Sequence, residues 1–241
     1  MNEQPKYRRI LLKLSGEAMK GNAEGLYDYD KVDEICRAIK ECHDMGIQIA
    51  IVVGAGNIWR GAKAGRGMDR TLADHMGMLG TVINALCLKD TLCRMGVEAR
   101  VMTPQQMRNF AEPYVKDDAV RHLEKGRVVV LGGGTGAPYF STDTGAVLRG
   151  SELEVDALLF GKNIDGIYTA DPKKDPSAVK LDHITYERIL REQLKAIDMT
   201  AAAMGMDSGR TILVFGLNEP SDIVKIAAGG KPGTVIDNQC E

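Results

Sequence analysis

A three-layer α/β/α sandwich on a mostly parallel central sheet is the α/β fold this sequence predicts, on three observations. Short β-rich runs alternate with amphipathic helical stretches along the whole chain, the rhythm that lays parallel strands side by side and covers both faces of a sheet. Glycines cluster directly after several of those runs, where open α/β sheets bind ligands at the carboxyl ends of their strands. The 241 residues, 44% hydrophobic and 27% charged, suit a chain with a real core and exclude the disordered, collagen-like and coiled-coil classes.

The aliphatic and β-branched runs predict strands at 9–14, 47–53, 97–102, 127–131, 157–160, 211–215 and 234–236. Between the first two, Val32, Ile35, Cys36 and Ile39 form one stripe of a helix over 30–45, with Gly46 as its stop. A longer helix over 71–95 stops at Gly96, and further helices are predicted at 117–125, 143–154, 186–195 and 222–228. No linker, low-complexity segment or fixed-period repeat interrupts the chain, so residues 1–241 read as one domain. The Gly- and Pro-containing stretch 161–180 is long enough for a functional loop.

Lys and Arg number 31 against 33 Asp and Glu, a net charge of −2. No general positive field draws nucleic acid or an anionic membrane, and neither is an expected partner. The five cysteines, at 36, 42, 87, 93 and 240, lack the C-x-x-C spacing of a zinc or redox site and read as reduced thiols. The apolar run Ile10-Leu11-Leu12 is too short for a signal peptide, and no stretch approaches the ~18 residues of a membrane span. A cytoplasmic location is the expectation.

Three glycine clusters fall on the same expected sheet edge: Leu14-Ser15-Gly16-Glu17, Gly54-Ala55-Gly56-Asn57 and Gly132-Gly133-Gly134-Thr135-Gly136. A residue without a Cβ lets backbone N–H groups approach phosphate oxygens, and a following helix adds its positive end. Each cluster alone is as readily an ordinary tight turn, but three on one edge favour a shared anionic ligand. There is no G-x-x-x-x-G-K-[ST], which excludes an ordinary P-loop. Gly132 to Ala137 matches a dinucleotide fingerprint, yet Pro138 to Thr142 delays the helix that such a site needs. Lys13 directly precedes the first glycine turn and offers a positive charge to phosphates. Arg60, Lys63, Arg66 and Arg70 lie among glycines in a basic stretch suited to folding over a phosphate, with a solvated loop as the alternative for all but Arg60.

The motifs Lys13-Leu14-Ser15-Gly16-Glu17, Gly54-Ala55-Gly56-Asn57-Ile58-Trp59-Arg60-Gly61, Ala73-Asp74-His75-Met76-Gly77-Met78 and Gly134 to Asp143 together resemble the bacterial uridylate (UMP) kinases of the amino acid kinase family. The likeness continues through Lys162-Asn163-Ile164-Asp165-Gly166-Ile167-Tyr168-Thr169-Ala170-Asp171-Pro172 and the segment from Leu194 to Asp198. It implies an amino acid kinase-like fold and transfer of the ATP γ-phosphoryl group to UMP, giving UDP and ADP in pyrimidine nucleotide biosynthesis. By the same resemblance, UMP lies on the N-terminal half, its phosphate held by Gly54, Gly56 and Arg60. Asp74 accepts from its ribose, and Thr135 and Thr142 approach the uracil. ATP lies on the C-terminal half, with Lys13, Ser15 and Gly16 at its phosphates and Asn163, Tyr168 and Asp171 near adenine and ribose. Lys13 and Asp143 are the implied catalytic pair. No protein metal site is implied, Mg²⁺ being held mainly through the ATP phosphates. The family often carries Asn where this chain has Ala137.

The chemistry is consistent with the residues. A phosphate ester has a second pKa of about 6, so the acceptor is already a nucleophile and needs no general base. Of the four histidines, at 43, 75, 122 and 183, only His75 falls near the implied site, as a neighbour of Asp74. What is left is positioning and charge stabilisation. Asp143 also suits an N-cap, a role of roughly 1 kcal/mol that is compatible with the catalytic one. A sibling kinase acting on aspartate, glutamate or carbamate and a non-catalytic nucleotide sensor are the alternatives. The first has no use for Asp74 as a ribose acceptor, and the second none for Lys13, Arg60 and Asp143 together. An effector site is not legible, since Lys89, Cys93 and Arg100 form no evident pocket by spacing.

The helix over 71–95 carries two stripes. Leu72, Met76, Leu79, Ile83 and Leu86 are expected to cover the chain's own sheet. Ala73, Gly77, Gly80 and Asn84 are small and admit a close neighbour, either within the subunit or across a two-fold dimer contact. The family's hexamers, built as three dimers, favour the second and make a homo-oligomer the expectation.

Overall fold

A computed structural model describes residues 5–59, 67–172, 174–194 and 197–239. In chain order the elements are β1 (Arg9–Leu14), α1 (Gly16–Lys20), α2 (Tyr29–Asp44), β2 (Gln48–Val53), α3 (Arg70–Arg94), β3 (Ala99–Thr103), β4 (Glu112–Pro113), α4 (Lys116–Glu124) and β5 (Val128–Leu131). They continue with α5 (Thr142–Glu152), β6 (Ala157–Lys162), β7 (Ile167–Tyr168), β8 (Lys180–Leu181), β9 (His183–Thr185), α6 (Tyr186–Glu192), α7 (Met199–Ser208), β10 (Ile212–Gly216), α8 (Ser221–Ala227) and β11 (Thr234–Asp237).

Nine strands form one sheet in the order β4-β3-β5-β2-β1-β6-β10-β11-β9. Every neighbouring pair is parallel except β10 with β11. All seven predicted strands are present, within two residues at their starts. β4, β7, β8 and β9 were not legible, because runs of two or three residues carry no alternation to read. β7 and β8 pair antiparallel, so the stretch read as a loop over 161–180 contains the two sides of a small ribbon.

Strand alternation divides the core. Ile10, Leu12 and Leu14 of β1 face the layer containing α2 and α8, where Val32, Ile35, Ile39, Ile223 and Ile226 are buried. Leu11 faces the opposite layer with Ala146 and Val147 of α5. Since side chains alternate along a strand, Lys13 shares the α5 face with Leu11. On the neighbouring strand β6, Leu158 and Phe160 face the α5 layer and Leu159 the other, which places Lys162 on the α5 face as well.

The long helix α3 reverses the sequence expectation. Leu72, Met76, Leu79 and Ile83 are 60%, 42%, 52% and 48% exposed, whereas Ala73 and Asn84 are 1% and 0% exposed. Only Leu86 of the apolar stripe packs against the core. The small stripe takes the inner side because α3 lies directly on the glycine turn after β2: a Cβ on Gly80 would stand 2.9 Å from the Cβ of Ala55. The close neighbours are therefore this subunit's own residues, Ala55 and Ile58 at Gly80 and Trp59 at Gly77, rather than a second subunit.

Helix α7 also escaped the sequence reading. Its run Met-Thr-Ala-Ala-Ala-Met-Gly-Met-Asp-Ser has no polar stripe to set a period, and its ends are marked instead by the Asp198 cap and by Gly209 at φ +62°. Among the described residues no helix is long and apolar enough to cross a membrane.

Candidate active site

The three glycine clusters do fall at one edge. Gly54 N–H donates to the Leu14 carbonyl at 2.9 Å, tying the second turn to the end of β1. A Cβ on Gly16 would lie 2.4 Å from Asn57 Oδ1 and 2.6 Å from the Gly54 carbonyl oxygen, so the first two turns are packed backbone on backbone. In the third cluster Gly133, Gly134 and Gly136 have φ of +81°, +58° and +94°, which excludes side chains other than at a strain cost. Thr81 of α3 anchors that turn by accepting from Gly133 N–H at 2.7 Å.

At the same edge Asp143, the second residue of α5, stands between two lysines. Lys13 Nζ lies 2.7 Å from Asp143 Oδ1 and Lys162 Nζ 2.5 Å from Oδ2, and all three side chains are at most 19% exposed. Burial pushes the Asp143 pKa up, but the adjacent Lys13 and Lys162 ammonium groups outweigh it and hold the carboxyl below the usual carboxylate range. Burial also pulls Lys162 below the ordinary lysine value, despite the attraction of Asp143. Two cations around one carboxylate leave one excess positive charge at a partly dry edge, suited to phosphate oxygens. Asp143 is not the cap of α5: Ser141 is, its hydroxyl accepting from the backbone N–H of Asp143 and Thr144. Asp198 braces this turn from α7, accepting from Ser141 and, at 2.9 Å, from Thr144 Oγ1.

A cavity of about 480 Å³ opens at the start of α5, where Ser141 and Thr142 line it, within the range of small-molecule sites. Gly56, Asp74, Thr135 and Thr142 line it, so four of the residues expected at UMP share one space. Gly54 sits next to it, with Thr142 Oγ1 3.4 Å from where its Cβ would be, which brings Thr142 to the Gly54 turn as well as to the cavity. Asp74 Oδ2 accepts from Arg70 Nε and from the Tyr139 backbone N–H, each at 2.8 Å, holding segment 138–140 across the cavity mouth. Tyr139 has φ +70°, a strained position for a bulky side chain, and its ring lies 5.2 Å from the Arg70 guanidinium. His75 is exposed. Arg60, Lys63 and Arg66 lie outside the described residues.

The residues expected at ATP are grouped more loosely. Ser15 caps α1, accepting from Glu17 N–H at 3.3 Å, and Asn163 donates to Glu17 Oε2 at 3.3 Å. Glu17 and Asn163 line a second cavity of about 340 Å³ together with Lys31 and Asn218. Tyr168 donates to Asp165 at 2.9 Å and Asp171 opens the turn before β8, both outside the lining of that cavity. Lys162 is the residue that sequence reasoning passed over. Its signal lay in the parity of β6, which becomes informative only once Lys13 pairs in register with Phe160. Among the described residues no three His, Cys, Asp or Glu side chains converge as a metal site.

A parallel sheet with glycine turns and a Lys–Asp–Lys trio at its carboxyl edge defines a phosphate-handling α/β enzyme rather than a P-loop or dinucleotide protein. The chain belongs to the amino acid kinase family, whose model matches residues 8–216. It is similar to a UMP kinase from Bacillus anthracis, at 37% identity and a TM-score of 0.94 over 97% of each chain. It is similar to one from Ureaplasma parvum at 34% identity and a TM-score of 0.91, over 97% of this chain and 100% of that one. A uridylate kinase from Archaeoglobus fulgidus matches at 29% identity and a TM-score of 0.75, over 94% and 99%.

Proposed function

We propose that the chain is a UMP kinase that transfers the γ-phosphoryl group of ATP to UMP, giving UDP and ADP, as a cytoplasmic step of pyrimidine nucleotide biosynthesis. The observation that carries the reading is the 480 Å³ cavity, lined by Asp74, Thr135 and Thr142, whose lining runs through Ser141 and Thr142 to the residue before Asp143 of the Lys13–Asp143–Lys162 trio. The N-terminal half takes UMP and the C-terminal half takes ATP, with Ser15, Gly16, Asn163, Tyr168 and Asp171 on the nucleotide's side. The UMP phosphate is its own nucleophile; Lys13 and Lys162 neutralise charge on the transferring oxygens, and Asp143 keeps both lysines in place.

Mg²⁺ enters as the counter-ion of ATP. Asp143 is engaged by two lysines and Asp198 by two hydroxyls and the Ala201 N–H. With those two carboxylates engaged, phosphate oxygens and water are the donors expected for Mg²⁺, which suits an ion that keeps much of its hydration.

An ATP-coupled assay across UMP, CMP, AMP, GMP, aspartate and glutamate tests the reading. UMP is expected to lead by a wide margin, and comparable turnover with AMP or aspartate contradicts it. Asp74→Asn is expected to raise the KM for UMP several-fold with a smaller fall in kcat, because ribose contacts are equal in ground and transition states. A fall in kcat alone removes Asp74 from the ribose.

The same reading makes the chain a homo-oligomer, on the family's plan of a hexamer of three dimers. The exposed apolar stripe Leu72, Met76, Leu79 and Ile83 supports this reading, with a second copy of α3 as its occupant across a two-fold axis. Leu79→Glu is expected to shift the particle to smaller species in light scattering. An unchanged particle places the interface elsewhere.

A further inference from the structure

We propose that Asn84 is the positioning residue for the turn that receives the UMP phosphate, an inference that rests on the function proposed above. Asn84 is fully buried in the middle of α3. Its Nδ2 donates to the Gly54 carbonyl at 2.7 Å and to Asn57 Oδ1 at 2.8 Å. Its Oδ1 accepts from the Tyr27 hydroxyl at 2.8 Å and from Asn57 Nδ2 at 3.2 Å. A primary amide has two donors and an oxygen with two lone pairs, so all its capacity is in use. Rotating the amide by half a turn would set its oxygen against the Gly54 carbonyl, which fixes its orientation. An apolar residue would serve α3 packing better, since a buried amide is costly unless satisfied. Each of these bonds instead runs to the glycine turn or to the segment entering α2.

The consequence follows from peptide geometry. In a trans peptide the carbonyl and the N–H point in opposite directions. With the Gly54 oxygen drawn to Asn84, the Ala55 N–H of the same peptide is aimed away from that amide. Ala55 and Gly56 line the larger cavity. Gly16 also packs closely on the Gly54 carbonyl, and the Thr142 hydroxyl lies in van der Waals range of Gly54. A turn clamped in this way presents its donors without reorganisation when an anion arrives. Tyr27 extends the clamp: burial raises its phenol to about 12, so it stays a donor to Asn84 at neutral pH. Asn57 Nδ2 also donates to the Leu26 carbonyl at 3.0 Å, so the whole clamp joins α3, the turn and segment 26–27.

The test is steady-state kinetics of the full chain with UMP and ATP each varied, for Asn84→Ala and Tyr27→Phe. Asn84→Ala is expected to raise the KM for UMP by about tenfold or more and that for ATP by less than about twofold, the pattern of a lost uniform contact to one substrate. Tyr27→Phe, which removes one hydroxyl and little packing, is expected to do the same by roughly threefold. A purely structural role would lower the melting temperature and the active fraction, reducing kcat with both KM values intact. That pattern, or an equal rise in both KM values, overturns the proposal. Should Asn84→Ala fail to fold, Tyr27→Phe decides by the same criterion. An unmodified chain without activity on UMP overturns the functional reading and this inference with it, whereas an active one with unaffected variants overturns this inference alone.

Discussion

Asp143→Ala is expected to cost about 3–5 kcal/mol of stability at neutral pH and to remove measurable turnover, because it strands two buried ammonium groups beside each other. Lys13 and Lys162 are 8% and 19% exposed, too dry for water to replace the carboxylate. The sign of the pH dependence is specific. In the unmodified chain the Asp143 pKa is depressed, so its contribution is present at neutral pH and is lost as pH falls through the folded value, below about 4. In the variant that acid limb disappears and the defect moves to the lysines. Lys162 already has a lowered pKa, so the unfolded chain binds more protons there and stability rises with pH toward the ordinary lysine value of about 10. Denaturant unfolding at pH 7 and pH 9.5 checks this: the variant is expected to recover stability at the higher pH. A loss below about 1 kcal/mol at pH 7 would show that the trio is not coupled as described.

Lys13→Ala should separate catalysis from stability. Removing Lys13 leaves Asp143 paired with Lys162, so the remaining pair is neutral and the melting temperature is expected to change little. The excess positive charge at the phosphate edge is gone, however. A preorganised contact to charge in the transition state is worth about 2.7–4 kcal/mol, which corresponds to a fall in kcat of ~10²–10³. The KM for UMP is expected to stay within about twofold, since Lys13 acts at the transferring group rather than at the ribose or base. Stopped-flow or coupled assays of kcat with thermal melting on the same sample read both effects. Near-normal kcat would make Lys13 a buried structural lysine.

Much of this was legible before the fold was known, and the parts that were not share a cause. The strands of β1, β2, β5 and β6 were readable because they are long aliphatic runs, and the glycine turns because they follow those strands directly. Asp74, Thr135 and Thr142 carried over as a group and line one cavity. Lys162 did not emerge as a partner, since its meaning depends on the register of two strands nearly 150 residues apart. The α3 stripes were assigned to the wrong sides. Hydrophobic periodicity assumes that the larger apolar residues face the core, but here α3 lies so close on the turn after β2 that Gly80 meets Ala55 and Ile58 and Asn84 hydrogen-bonds the Gly54 carbonyl. The same distance from local signals hid the Asp198 brace: nothing near position 198 announces that its carboxylate will meet Ser141 and Thr144 of another helix. Local pattern identifies elements and turns, whereas convergence of polar groups depends on how the sheet is ordered.

UMP is expected to occupy the cavity between α3 and segment 134–142, with the Lys13–Asp143–Lys162 trio facing the ATP γ-phosphate. A crystal structure of the chain with UMP and a non-hydrolysable ATP analogue tests it most directly. The expected result is the UMP phosphate on the backbone N–H groups of the Gly54–Gly56 turn, the ribose within hydrogen-bond distance of Asp74, and Lys13 Nζ and Lys162 Nζ on the oxygens of the analogue's terminal phosphate. A UMP molecule outside that cavity, or a terminal phosphate away from both lysines, would contradict it.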